Sequence, residues 1–174
     1  VFPAVSAEGA AFWVVRTAPV RMSSFLWSKL WTGLVPILVL AEALTVVSNQ
    51  LLGVSPFLKW VAALSIAVMS VALVGLACGM GASHPRFDAE NPTQIAGSYG
   101  GVAFMVLAVL YILVTIGLLA WPSSVFLWHE YHRLPIPPPR QAAMALAFLV
   151  AFSLALATFW LPMRSGVRAL EELG

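Results

Sequence analysis

Four long apolar stretches constrain this chain more than any other feature. They run from about Leu30 to Leu52, from Trp60 to about Ala82, from Tyr99 to Trp121 and from Ala142 to Leu161. Crossing the hydrocarbon of a bilayer takes about 20 mostly apolar residues, and each stretch is of that order. Only Glu42 interrupts the first, and the second and third carry no charge. Charged residues make up 9% of the sequence, against roughly a quarter in soluble domains. Such a chain lacks the polar groups to cover its own surface, so an apolar medium must. The expected fold is all-α: an integral membrane bundle of four transmembrane helices preceded by a short interfacial amphipathic helix. The lipid bilayer is its first expected partner. A net charge of +2 gives no footprint for nucleic acid.

The segments between the spans read as connections. Gly53-Val54-Ser55-Pro56, then His84 to Pro92, then Pro122 to Arg140 with its Pro137-Pro138-Pro139 run concentrate the residues that leave a helix. Pro85 is expected to close the second helix. Asn91, Pro92 and Gln94 resemble a cap, a first-position proline and a capping-box partner, which would start the third helix near Pro92. Basic residues then orient the chain. Arg16, Arg21, Lys29, Arg86, Arg164 and Arg168 fall on one side of the spans, and Lys59, Arg133 and Arg140 on the other. The excess assigns both ends and the Arg86 loop to the cytoplasm. Trp27, Trp31, Trp60, Trp121, Trp128 and Trp160 sit near the proposed helix ends, as interfacial tryptophan does.

The first thirty residues differ from the rest. The sequence opens at Val1 without an initiator Met or a signal-like segment, and is expected to be part of a longer protein. Ser6 can cap a helix, with Glu8 in its first turn. The apolar run Phe12-Trp13-Val14-Val15 that ends at Arg16 is too short to span, so an interfacial helix is expected, broken at Pro19. Ser23 or Ser24 would cap a second helix that continues through Phe25, Trp27 and Lys29 into the first span. The resulting division is 1–29 interfacial region, 30–162 transmembrane domain and 163–174 cytoplasmic tail.

Few side chains could carry chemistry. Glu42 is the one ionisable group deep in a span, and a carboxylate at mid-bilayer costs ~3 kcal/mol on insertion scales. It is either a substrate-contacting or switching residue, or a protonated acid hydrogen-bonded for packing. Gly75 and Gly79, Ala77 and Gly81, and Gly97 and Gly101 are pairs of small residues four apart. That spacing lets helix backbones approach closely in lipid, for packing or for a dimer face. His129 and His132 flank Glu130 but stand three apart, where a helical zinc site needs four. His84 beside Pro85 reads as a solvated loop residue. Cys78 is alone, so it offers neither an internal disulfide nor a paired-cysteine metal site. No Gly-x-x-x-x-Gly-Lys phosphate loop and no serine, histidine and acid set occur, so no catalytic site, no cofactor and no metal are expected in this chain.

Glu8-Gly9, the apolar run, Ala18-Pro19-Val20 and Lys29 opening a membrane helix together resemble the type-2 class of ABC exporter permeases. The stretch Pro85-Arg86-Phe87-Asp88-Ala89-Glu90-Asn91-Pro92 is similar to a cytoplasmic loop of some of these permeases. The resemblance implies that the four spans are the last four of a six-helix unit in a bacterial cytoplasmic membrane. It implies export driven by a separate ATPase subunit that holds the ATP, and a second permease half, homo- or heterodimeric. Glu8, Gly9, Arg16 and Pro19 would lie in or beside the element that docks on the ATPase, and Arg86, Asp88, Glu90 and Asn91 in the cytoplasmic loop. Two rivals remain: an ion-coupled secondary transporter using Glu42, and a non-transporting scaffold or assembly protein. The transported substrate stays open.

Overall fold

The computed structural model of the chain describes residues 1–4, 6, 22–85, 94 and 97–172. Four helices form the body: α1 over Met22–Leu51, α2 over Pro56–Ser83, α3 over Tyr99–His132 and α4 over Pro138–Glu172. A 3-10 turn at Phe2–Ala4 precedes them. The helices have 28 to 35 residues, or about 42 to 53 Å at 1.5 Å per residue. The hydrocarbon layer is ~30 Å thick, so all four are long and apolar enough to cross it. Val39, Leu40, Leu44, Leu113 and Leu149 are among many large apolar side chains left exposed. In water such a surface would drive aggregation; in a bilayer it faces lipid tails. The chain is an all-helical membrane protein.

The helices run up and down. One end of the bundle, the near end below, gathers the starts of α1 and α3 and the ends of α2 and α4. There Leu26, Leu30 and Leu34 of α1 pack with Val74, Cys78 and Ala82 of α2 and with Met163 and Leu170 of α4. The four-residue spacing on α1 and α2 is the helical period that keeps one stripe on one neighbour. At the far end, Lys59 Nζ donates to Gln50 Oε1 at 2.9 Å, and the rings of Phe57 and Phe126 lie 4.3 Å apart. The turn between α1 and α2 needs Gly53, whose φ of +60° is left-handed. Its N–H and that of Val54 donate to Gln50 and Asn49 carbonyls, closing the helix end.

Three expectations about helix ends are corrected. The third helix does not stop before Pro122 but continues to His132. In hydrocarbon, breaking the helix would strand several backbone groups, whereas one proline removes a single N–H. Pro122 is buried, and the hydroxyls of Ser123 and Ser124 donate to the carbonyls of Leu119 and Trp121, each at 2.7 Å. The cap of α3 is Ser98, whose Oγ accepts from Gly101 N–H at 3.3 Å, so helix α3 begins at Tyr99 rather than near Pro92. Asn91 and Pro92 lie outside the described residues. Ser23 and Ser24 lie inside α1, which is already helical at Met22. The connection from α3 to α4 is correspondingly short, and Pro138 and Pro139 occupy the first turn of α4, where proline is pre-organised. At its other end α4 continues as helix through Arg164 and Arg168 to Glu172.

The closest helix contact is between α2 and α4. A Cβ on Gly79 would strike the carbonyl group of Pro162, and one on Gly75 would enter the Phe159 ring. From the other side, a Cβ on Gly166 would sit 2.7 Å from the Gly79 carbonyl oxygen and 3.0 Å from Ala82 Cβ. Gly75 and Gly79 thus form a packing face, as their spacing suggested. Gly97 and Gly101 do not: Gly97 lies exposed in the turn before α3, and only Gly101 is in the helix, buried in its first turn. Overpacking costs about 1–3 kcal/mol where side chains can yield, and at Gly79 the obstacle is backbone. Gly79→Leu should therefore lower the thermal midpoint of the detergent-solubilised protein by several degrees or abolish folding. Gly117→Leu, with nothing within 4 Å, should leave it unchanged.

Candidate functional site

The residues singled out from the sequence divide into three groups. Glu8, Gly9, Arg16 and Pro19, and with them Arg86, Asp88, Glu90 and Asn91, lie outside the described residues. Gly75 and Gly79 belong to the α2–α4 seam. Glu42 stands near the middle of α1, half-buried on the same side as Ala41, Thr45 and Asn49. The opposite side of α1 shows exposed Leu40, Val47 and Leu51. Polar groups on a membrane helix gather on the side turned to protein or to a wet cavity, and Glu42, Thr45 and Asn49 follow that pattern. The Thr45 hydroxyl donates to the Ala41 carbonyl at 2.8 Å.

The near end carries a feature that the sequence did not announce. Residues Val1 to Pro3 are seated in the cleft between α1, α2 and α3, and a glycine on each helix makes room for them. Val1 side-chain carbons lie 2.6 and 3.2 Å from the position of a Cβ on Gly33. The Phe2 carbonyl oxygen occupies the space beside Gly81, and its ring lies 3.5 Å from a Cβ position on Gly100. Phe2 is buried and stacks on Phe104 with ring centroids 5.3 Å apart. In sequence, this strap precedes the stretch that holds Glu8 to Pro19. Above it an apolar cavity of about 450 Å³ reaches to Ile37, Ser70 and Met105.

Deeper in the bundle, α3 meets α2 and α4 at one small cluster, Tyr111 against Ala72 and Ala155. Tyr111 is a wall of two apolar cavities, of about 530 Å³ and about 350 Å³. The Tyr111 and Thr115 hydroxyl oxygens are buried, meet each other and have no hydrogen-bond partner outside the pair. An orphaned buried hydroxyl costs about 1–3 kcal/mol, so this pair is an anomaly in a bundle whose other hydroxyls mostly back-bond to carbonyls one turn away. Nothing in the sequence distinguishes Tyr111 from an ordinary core aromatic; its position between two cavities is a property of the packing.

At the far end, the histidines serve their own helix. Nδ1 of His129 lies 2.8 Å from the Val125 carbonyl, and Nδ1 of His132 lies 2.8 Å from the Trp128 carbonyl. Since a carbonyl can only accept, each Nδ1 carries the proton. The second nitrogen of His129, Nε2, then accepts from Arg140 Nη1 at 3.4 Å and ties the end of α3 to the start of α4. Among the described residues no three His, Cys, Asp or Glu side chains converge. His84 caps the end of α2, exposed, with its ring 6.2 Å from Tyr99. Because His129 is buried and His132 exposed, His129→Ala should destabilise the protein by about 1–3 kcal/mol. His132→Ala should change stability by less than about 0.5 kcal/mol, both read from thermal unfolding in detergent.

These arrangements contain cavities, a seated strap and close helix contacts, which suit binding and movement within a membrane. No curated protein and no solved structure matches the chain. A family model described as "Putative ATP-binding cassette" matches residues 1–174. The match runs the length of the chain, and this membrane protein belongs to that family.

Proposed function

We propose that this chain is the membrane-spanning, permease part of an ATP-driven exporter, coupled to a separate ATPase subunit. The observation that carries this reading is a contrast. The chain belongs to a family described by the ATP-binding cassette, yet it is built from four membrane-length helices and has no phosphate loop anywhere in its sequence. A cassette grips nucleotide through such a loop; the part of the system without one is the part in lipid. In this reading the near end is cytoplasmic, in a bacterial inner membrane, and Glu8, Gly9, Arg16 and Pro19 meet the ATPase. The strap at Val1–Ala4 supports a route for the push, because it joins that stretch to α1, α2 and α3 at Gly33, Gly81 and Gly100. Nucleotide-driven movement of the ATPase then biases the bundle between inward- and outward-open forms by differential contact, which is all that coupling requires. A second permease half would complete the pathway.

One observation favours a second reading. Glu42 is half-buried at mid-span, where an ion-coupled transporter would place a protonation site. The two readings separate experimentally. A cysteine at Arg16 in a Cys78→Ala background should crosslink to the co-expressed ATPase, and transport should stop when the ATPase cannot hydrolyse ATP. Glu42→Gln should then alter the transport rate by less than about threefold. An absent crosslink in a complex that still contains the ATPase would remove the docking role. Transport that survives ATPase inactivation but needs a proton gradient and Glu42 would establish the second reading.

A further inference from the structure

We propose that the larger cavity beside Tyr111 is a binding site for a neutral, apolar molecule bearing a carbonyl oxygen, taken up from the bilayer. Its volume of about 530 Å³ lies within the ~300–1,000 Å³ of small-molecule sites. Val61, Val68 and Met69 of α2, Tyr111 and Thr115 of α3, and Phe148 of α4 are among the side chains that line it. Among the described residues no charged side chain does, so an ionic ligand would have no counter-charge in a medium where a bare charge is costly. The helices around it are of membrane length, so the opening faces lipid and the occupant arrives dissolved in it.

The two hydroxyls narrow the class further. Tyr111 is 5% exposed and Thr115 is 3% exposed, and their hydroxyls meet each other but have no hydrogen-bond partner outside the pair. They stand four apart on one helix, which puts them on one face, a turn from each other. Both residues line the cavity, and threonine on a helix exchanges between two side-chain rotamers. A hydroxyl both donates and accepts, so the pair satisfies one donor internally and leaves the other without an acceptor, which a single carbonyl oxygen supplies. A pure hydrocarbon fills the cavity but leaves the remaining donor unpaired; a charged headgroup does the reverse. The site stands independently of the exporter reading, since it needs only the bundle.

The test uses the full chain in lipid nanodiscs with two photoactivatable diazirine probes: a long-chain ketone, and the same molecule with its carbonyl replaced by methylene. The ketone should label the α2 segment around Val68 and Met69 saturably, and about tenfold more efficiently than the alkane, the effect of one or two net hydrogen bonds. Tyr111→Phe and Thr115→Val should each lower ketone labelling severalfold, and together bring it to the alkane level. Thermal stability of the double variant should stay the same or rise, because the two substitutions together remove the unpaired donor. Val68→Trp should block both probes by filling the cavity. Equal labelling by the two probes, ketone labelling that survives the double substitution, or the absence of saturable labelling would each overturn the assignment.

Discussion

The backbone contact between α2 and α4 at Gly79 governs how this bundle holds together. Lipid tails are as apolar as leucine, so burying Leu26 or Val74 against a neighbouring helix gains little over leaving it in the bilayer. What remains is dispersion, and dispersion rewards close approach. Glycine supplies that approach from both sides: Gly75 and Gly79 on α2 admit Phe159 and the Pro162 carbonyl group, and Gly166 on α4 admits the Gly79 carbonyl. The leucine stripe of α1 then lies over the seam so formed.

Where no glycine brings two backbones together, the packing opens. Helix α3 meets its neighbours through Tyr111, Ala72 and Ala155, with cavities on either side of the tyrosine ring. At the near end its first turn is again close-packed, because Gly100 accommodates the Phe2 ring and His84. At the far end the His129–Arg140 contact and the Phe57–Phe126 pair close it. The helix is thus fastened at both ends and at Tyr111, with a cavity on either side of that central contact.

The existence of four spanning helices was legible because length and apolarity are enough to identify them. Their ends were less so. Pro122 read as a stop because proline breaks helices in water, but within lipid its neighbours Ser123 and Ser124 bond carbonyls of the same turn and the helix continues. Asn91-Pro92 had the chemistry of a cap, while the cap that α3 uses is Ser98. Gly75 and Gly79 were legible from spacing; Gly97 was not, since the same spacing in a turn has no helical meaning. Gly166 has no small residue four away, because Pro162 and Leu170 flank it at that distance, so periodicity alone gives no hint of it. The strap at Phe2 and the cavity walls at Tyr111 depend on which helix neighbours which, and one sequence contains no record of that.

The α2–α4 seam is tested most directly by a pair of cysteines at its near end. Ser83 Oγ and Ser165 Oγ lie 3.5 Å apart across the two helices, within reach of a disulfide after modest adjustment. In a Cys78→Ala background, Ser83→Cys with Ser165→Cys should oxidise rapidly in native membranes to a single intramolecular disulfide that reductant reverses. Two free thiols after mild oxidation, both open to alkylation in the folded protein, would contradict the close α2–α4 contact on which this account of the bundle rests.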